Sequence, residues 1–380
     1  MSKLIDNRTS PNGEPVFSTF LHSKGKAMGI PISGTFELTP RCNFNCKMCY
    51  IHSPDFVPEN EISAEKWIAL GEKARDAGVV FLLLTGGEPL IRKDFPYIYK
   101  ELNKLGFIMS VNTNASLIDD ELIGLFREYT PHRMNISLYG ASEETYKSLC
   151  GTEKFKTVVE NIEKLKNAGV QIKLNCSVTP YNCGDMEEIY ALSEKLGLNI
   201  KMATYMYPPL RSGFGSAGVN SGRFSACEGA FYKVKYDILR HSKQEFLRRA
   251  EEAKNGILLR ESDCIEENDE GDGINCRAGI TTFWVDWRGN MSPCGMLPAG
   301  EYNVFEKEFS DCWQGVREQA KAIRLPHECR SCKYKNICTV CAAACLCETG
   351  AYGKKPEYVC EYIGKFAEIM QNEAERLKGE

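Results

Sequence analysis

Eighteen cysteines stand in a chain of 380 residues, and most are grouped. Cys42-Asn-Phe-Asn-Cys46-Lys-Met-Cys49 puts three thiols within eight residues. Cys329, Cys332, Cys338, Cys341, Cys345 and Cys347 form a second dense set, with Cys276 and Cys294 before it and Cys360 after it. Thiolates are soft ligands for iron and zinc, and in a reducing compartment clustered cysteines are more often metal ligands than disulfides. Isolated ones such as Cys183 and Cys312 read as small buried hydrophobes. Structural zinc takes four ligands, usually from two paired knuckles. His52 could join the first three thiols, but no second knuckle lies near it in sequence. Three thiolates around one cubane cluster leave one iron open to another molecule. At the far end, Cys329/Cys332 and Cys338/Cys341 would make a zinc ribbon, though one that leaves Cys276, Cys294 and Cys360 without a role.

The frame that positions these groups shows in the hydrophobic pattern. Between about 32 and 206, β-rich runs at Ile32–Leu38, Val79–Thr85, Phe107–Asn112, Arg133–Leu138, Val170–Val178 and Ile200–Tyr205 alternate with helical stretches. One helix starts after Ser63, a fitting N-cap, and carries Trp67, Leu70 and Ala74 on one face. Another holds Val158, Val159, Ile162 and Leu165 and stops at Gly169. Six strand–helix repeats predict an α/β fold with a parallel sheet, and such sheets place chemistry at the C-terminal ends of their strands. Cys42 follows the first strand at that end. The pattern changes after Tyr207, at Pro208-Pro209 and the Gly/Ser-rich stretch 211–222, and 261–273 is an acidic, turn-prone loop. These boundaries divide the chain into an irregular arm at 1–30, a strand–helix domain at 31–225, either a doubly wound sheet or a partial barrel, a linker with the acidic loop at 226–275 and a Cys-rich domain at 276–380. With 47 basic and 51 acidic side chains the net charge is −4, which gives no general attraction for nucleic acid or anionic membrane. No apolar run approaches the ~18 residues of a membrane span, and the polar N-terminus lacks a signal-peptide core. A cytoplasmic protein is expected.

Cys42-x3-Cys46-x2-Cys49 followed by the aromatic Tyr50 resembles the signature of the radical S-adenosylmethionine (SAM) superfamily. The resemblance implies that Cys42, Cys46 and Cys49 hold a [4Fe–4S] cluster whose open iron chelates SAM. An electron then breaks a carbon–sulfur bond, and the 5′-deoxyadenosyl radical abstracts a substrate hydrogen. It further implies a partial (β/α)6 TIM-like barrel over roughly 31–206. Thr85-Gly86-Gly87-Glu88-Pro89 resembles the family's GGEP motif, with Gly86 and Gly87 admitting the SAM methionyl group and Glu88 accepting from its ammonium. Asn112 and Asn114, at the end of the third strand, and Ser137, at the end of the fourth, are candidate polar contacts. Where relatives often carry an Arg for the SAM carboxylate, this chain reads Lys147-Ser148-Leu149-Cys150-Gly151.

The C-terminal cysteines resemble the SPASM extension of peptide-modifying radical SAM enzymes, which implies two auxiliary [4Fe–4S] clusters. One set is Cys329, Cys332, Cys338 and Cys360. The other is Cys276, Cys294 and Cys341, completed by Cys345, Cys347 or Cys264. The spacing departs from the family pattern at Cys341, which follows Cys338 after two residues. The expected substrate is a ribosomal peptide to be crosslinked, thioether-bridged or epimerised, with flavodoxin or ferredoxin as reductant and an anaerobic setting. Alternatives are a sulfatase maturase, a small-molecule dehydrogenase, and a non-enzymatic electron-transfer or zinc-scaffold protein. Sulfatase maturases carry an Asp after the Cys equivalent to Cys294, where this chain has Gly295; Asp286 could substitute as base. No catalytic acid or base is otherwise identified.

Overall fold

A computed structural model describes residues 16–51, 61–208, 222–256, 272–338 and 340–379. Its centre is a parallel sheet of β1 (Ser33–Glu37), β2 (Phe81–Thr85), β3 (Ile108–Thr113), β4 (Arg133–Ser137), β5 (Ile172–Ser177) and β6 (Ile200–Ala203), hydrogen-bonded in chain order. Five of the six expected runs contain one of these strands, and β3 runs one residue past the expected Phe107–Asn112. Helices cover one face: α2 (Ala64–Asp76), α3 (Phe95–Lys104), α4 (Asp120–Glu128), α5 (Glu143–Cys150), α6 (Phe155–Asn167) and α7 (Met186–Leu196), with α1 (Val16–Met28) preceding the sheet. This is the α/β partial barrel the sequence predicts.

Alternate strand residues explain the layering. Val111, Met134, Ile136, Leu174, Cys176 and Met202 are buried in one core with Trp67, Tyr99, Phe126 and Ile162 from the helices. Their neighbours in sequence point the other way, into the barrel, as the two-residue period of a strand requires. Trp67 is fully buried, 5.4 Å from the Phe36 ring and 5.9 Å from Phe305. Ser63 caps its helix by accepting from the Lys66 amide, as expected.

Three regions differ from the sequence reading. The N-terminal arm is helical over α1, because His22 lies buried between Thr281 (Nδ1 to Oγ1, 2.8 Å) and Ser33 (Nε2 to Oγ, 3.2 Å) and anchors the helix to the barrel. The stretch 226–254, expected as linker, forms α8 (Ala226–Arg240) and α9 (Lys243–Lys254). These pack with the long C-terminal helix α12 (Glu357–Gly379) around Val234, Phe246, Phe366 and Met370. Third, β7 (Thr282–Val285), within the Cys-rich segment, pairs in parallel with β1, and β8 (Met291–Ser292) pairs antiparallel with β7. Phe283, Phe309 and Trp313 join the barrel core. The segment is therefore built onto the sheet through β7 and α10 (Phe309–Ala322), followed by α11 (Ala342–Thr349) and α12 (Glu357–Gly379). The stretch 211–221, most of the acidic loop, Cys264 and His52 lie outside the described residues. No helix among the described residues is long and apolar enough to cross a membrane.

Trp67→Ala should lower unfolding stability by about 3–5 kcal/mol in denaturant titrations, the usual cost of emptying a large aromatic site. A loss below about 1 kcal/mol would show that the helix–sheet layer does not depend on it.

Candidate active site

The expected site residues meet along one rim, at the C-terminal ends of β1 to β4. The loop carrying Cys42, Cys46 and Cys49 leaves β1 and is clamped on both sides. Against β2, the Gly87 amide donates to Thr39 O (2.8 Å) and the Glu88 amide to Arg41 O (2.8 Å). A Cβ on Gly86 would stand 2.6 Å from Thr39 O, and one on Gly87 2.7 Å from Pro40 O and closer still to Arg41 O. The absent side chains of this pair thus admit the cysteine loop itself. On the far side, the Asn45 and Lys47 amides donate to Cys150 O (2.9 Å) and Leu149 O (3.0 Å) at the end of α5. Phe44 is buried edge-on against Tyr146. Buried Arg92 donates to Leu38 O (2.9 Å) and Ile62 O (3.0 Å) and pairs with Asp94.

Glu88 is the hub of the rim. Fully buried, it accepts from Thr113 Oγ1 (2.8 Å), the Asn114 amide (2.7 Å) and the Leu90 amide (3.0 Å). Its carboxylate therefore fixes the end of β3. Asn114 in turn donates to Asn43 Oδ1 (3.0 Å) and reaches toward Cys42 Sγ (3.9 Å). Ser116 closes the ring, donating to Asn114 and accepting from Asn43. Next to it, Ala115 is the one non-glycine residue with positive φ (58°) among the described residues, a strained backbone held by the same network. Asn112 accepts from Asn135 Nδ2 (2.9 Å), and Ser137 bonds the Tyr139 hydroxyl. Arg92, Asn43 and Ser116 carried no motif that a reading of the sequence could single out.

The three thiols are half-buried neighbours. Cys42 is pushed up to about 12 by burial, eased by the Phe44 amide and raised further by Glu88, Cys46 and Cys49. Cys46 rises through a bond with the Cys150 side chain and through burial. Thiols that oppose each other's ionisation fit a site completed by cationic iron, which stabilises thiolates. Among the described residues no three His, Cys, Asp or Glu side chains converge on a single-ion site; a four-iron cubane instead takes its thiolates at separate corners.

Residues 36–192 match the sequence profile of the radical SAM superfamily. This stretch is a radical SAM domain. The chain is 27% identical to the AdoMet-dependent heme synthase of Methanosarcina barkeri over 341 residues, 87% of this chain and 96% of that one. Its fold is similar to that of Streptococcus suis SuiB bound to precursor peptide SuiA (TM-score 0.66, 19% identity, 89% of this chain and 79% of that one). It also resembles anSMEcpe with bound AdoMet (TM-score 0.69, 17% identity, 91% and 100%). Radical SAM enzymes use a [4Fe–4S] cluster and SAM.

The C-terminal cysteines fall into two neighbourhoods. Cys338 is pushed up to about 12 by burial, with Cys360, Cys329 and Cys332 as charged neighbours. Cys294, raised to about 11 by burial, neighbours Cys341. Cys347, raised to about 12 by burial, feels Cys341, Glu348 and Cys294. Cys276 packs on the same small core as Cys294 and Cys341. Cys345, fully buried, feels Cys341 first and then Cys329, Cys338 and Cys360, so it lies between the two sets. Tyr207, beyond β6, places its hydroxyl 3.5 Å from Cys341 Sγ. Beside it Tyr205 donates to Glu348 (2.7 Å), which Arg223 holds. Gly295 lies against the Trp284 indole, where a Cβ would stand 2.9 Å away. Asp286 accepts from the Arg288 and Asn290 amides and so caps the turn between β7 and β8.

Burial pushes the Glu88 carboxyl up to about 7 against its three hydrogen bonds. A folded value above the unfolded one means that this group's contribution to stability is present at low pH and lost as pH rises through about 7. Carbon-13 NMR of protein labelled at glutamate carboxyls should show one group titrating near 7, absent in Glu88→Gln. A full set titrating in the ordinary carboxylate range would contradict the buried hub.

Proposed function

We propose that the chain is a radical SAM enzyme that takes a hydrogen atom from a peptide substrate presented at the barrel mouth. Hydrogen-atom abstraction is the chemistry that the cluster and SAM supply when bound. Cys42, Cys46 and Cys49 are the ligands of that cluster, and the observation that carries the reading is their loop, seated on Gly86-Gly87 and tied through Asn114 to Glu88. Ser137 and Asn112 face the same rim and are polar contacts for SAM, as is Tyr50 beside Cys49. Glu88 acts through Asn114 and Thr113, as a positioning residue. Two auxiliary [4Fe–4S] clusters complete the set. Cys329, Cys332, Cys338 and Cys360 hold one; Cys276, Cys294 and Cys341 hold the other with Cys347 or Cys345. A one-electron donor such as flavodoxin or ferredoxin is the partner that reduces them.

The peptide reading is supported by the likeness over 89% of the chain to SuiB, whose structure has a precursor peptide bound. Sulfatase maturation is disfavoured. Trp284 occupies the space beside Gly295 where a carboxylate base would need to stand, and Asp286 is spent on its turn. A second reading, a small-molecule substrate, is favoured by the relative that spans nearly the whole chain and is named a heme synthase.

Anaerobically purified protein should contain iron and sulfide for three four-iron clusters and form 5′-deoxyadenosine from SAM under reduction. The triple variant Cys42→Ala/Cys46→Ala/Cys49→Ala should form none while keeping the iron of the other two. Undiminished cleavage in that variant would overturn the ligand assignment, and iron for one cluster with stoichiometric zinc would overturn the auxiliary clusters. Mass spectra of short peptides encoded near the gene should show loss of hydrogen with altered fragmentation, whereas turnover of a small molecule with every such peptide unchanged would favour the second reading.

A further inference from the structure

The sulfur of Cys341 is approached by donors from two parts of the chain. Cys341 is the N-cap of α11, and its Sγ accepts from the Ala344 amide (3.3 Å). From the barrel side, the Tyr207 hydroxyl lies 3.5 Å from the same sulfur. While Cys341 is a thiol, either group can be the donor of that bond. A thiolate on iron has no hydrogen and can only accept, so the phenol, which keeps its proton near neutral pH, must then donate.

Tyr207 reaches this place because the alternation of β6 continues past the strand. Thr204 and Met206 are buried, and Tyr205 and Tyr207 share the less buried side with Lys201 and Ala203. The ring is braced. Tyr205 packs edge-on against it, with centroids 4.8 Å apart. The Tyr205 hydroxyl donates to Glu348 Oε1 (2.7 Å), and Arg223 donates to that oxygen (2.6 Å) and to Oε2 (3.2 Å). Arg223 in turn lies over the Tyr358 ring, 3.9 Å from its centroid. The Glu348 and Arg223 side chains are only 4% and 10% exposed. A buried polar network of this kind is rigid; it fixes Tyr205, and Tyr205 fixes the direction of Tyr207. Glu348 stands in α11, so the brace and the sulfur belong to one helix.

Hydrogen bonds to the sulfurs help to set the reduction potential of an iron–sulfur cluster. Reduction adds negative charge, part of it on the thiolates, and a donor stabilises the more negative state more strongly. We infer that Tyr207 is a positioning residue for the auxiliary cluster that takes Cys341: its hydroxyl donates to the Cys341 thiolate, orients that ligand and holds the cluster's potential up. The inference rests on the auxiliary clusters proposed above. It adds that the potential of one of them is set from the end of β6.

The test is an anaerobic redox titration of the cluster-loaded protein, followed by electron paramagnetic resonance. Tyr207→Phe keeps the ring and removes the hydroxyl. One cluster's reduction equilibrium should become about tenfold less favourable, a midpoint lower by about 59 mV for one electron. The SAM-responsive cluster and the third cluster should keep their midpoints. Tyr362→Phe is the comparison: it removes a hydroxyl bond with Thr204 Oγ1 (2.8 Å), between α12 and the end of β6, and should move no midpoint. Iron content and thermal unfolding report whether each variant folds and loads. Should Tyr207→Phe lose the cluster, Tyr207→His, which restores a ring donor, decides: recovery of the cluster supports the inference, and loss in both variants would reduce Tyr207 to packing and overturn it. A fully loaded Tyr207→Phe with all midpoints unchanged, or an equal shift in Tyr362→Phe, would overturn the inference and leave the auxiliary clusters standing. A wild type that holds only the SAM-responsive cluster would remove the auxiliary clusters and the inference together.

Discussion

The contact on which the site depends is between two stretches of backbone. The cysteine loop rises from β1 and must turn over the end of β2, and only a residue pair without side chains lets Thr39, Pro40 and Arg41 lie against it. Hydrogen bonds from Gly87 and Glu88 then fix the loop's height above the sheet. The Glu88 side chain, directed the other way, sets the end of β3 and through Asn114 returns to Asn43 beside Cys42. One motif thus holds the thiol loop from below and from the side. Burying that carboxylate is costly, and its three donors offset the cost only in part, which is why its proton is held to unusually high pH.

The same sheet divides the labour of its two faces. Outward residues of each strand meet the helices in a continuous apolar core, which makes the rim rigid. Inward residues of β4 and β5, Arg133, Asn135, Ser137, Lys173, Asn175 and Ser177, are polar and not buried. The Cys-rich segment is not a separate module hung from a linker. Its strand β7 extends the sheet beside β1, and Tyr207 and Tyr362 reach across from the end of β6 and from α12. Bonds of this kind tie the C-terminal cysteines to the barrel mouth.

Much of this was legible in the sequence. Alternation and length located all six strands, since a parallel strand buried on its helix side shows a regular pattern. The cysteine spacings and the Gly-Gly-Glu-Pro run showed where the rim lies. What stayed hidden depends on distant partners. Nothing near His22 says that Thr281, more than two hundred residues away, will bury it. β7 is short and is recognised only by its pairing with β1. The helix at 226–240 did carry a signal, the capping box of Ser225 with Glu228, but the mixed composition around it masked the period. The roles of Asn43, Ser116 and Arg92 rest on bonds between elements, for which single residues leave no mark.

The most direct test of this account is electron paramagnetic resonance of the reduced protein with and without SAM, in the wild type and in Gly87→Val. One signal of the wild type should change when SAM is added, because one iron of the cluster on Cys42, Cys46 and Cys49 is open. In Gly87→Val, where the added side chain collides with Arg41 O, the folded protein should have lost that SAM-responsive signal. A signal of full strength that still responds to SAM in this variant would contradict the claim that the loop's seat on the glycine pair makes the site.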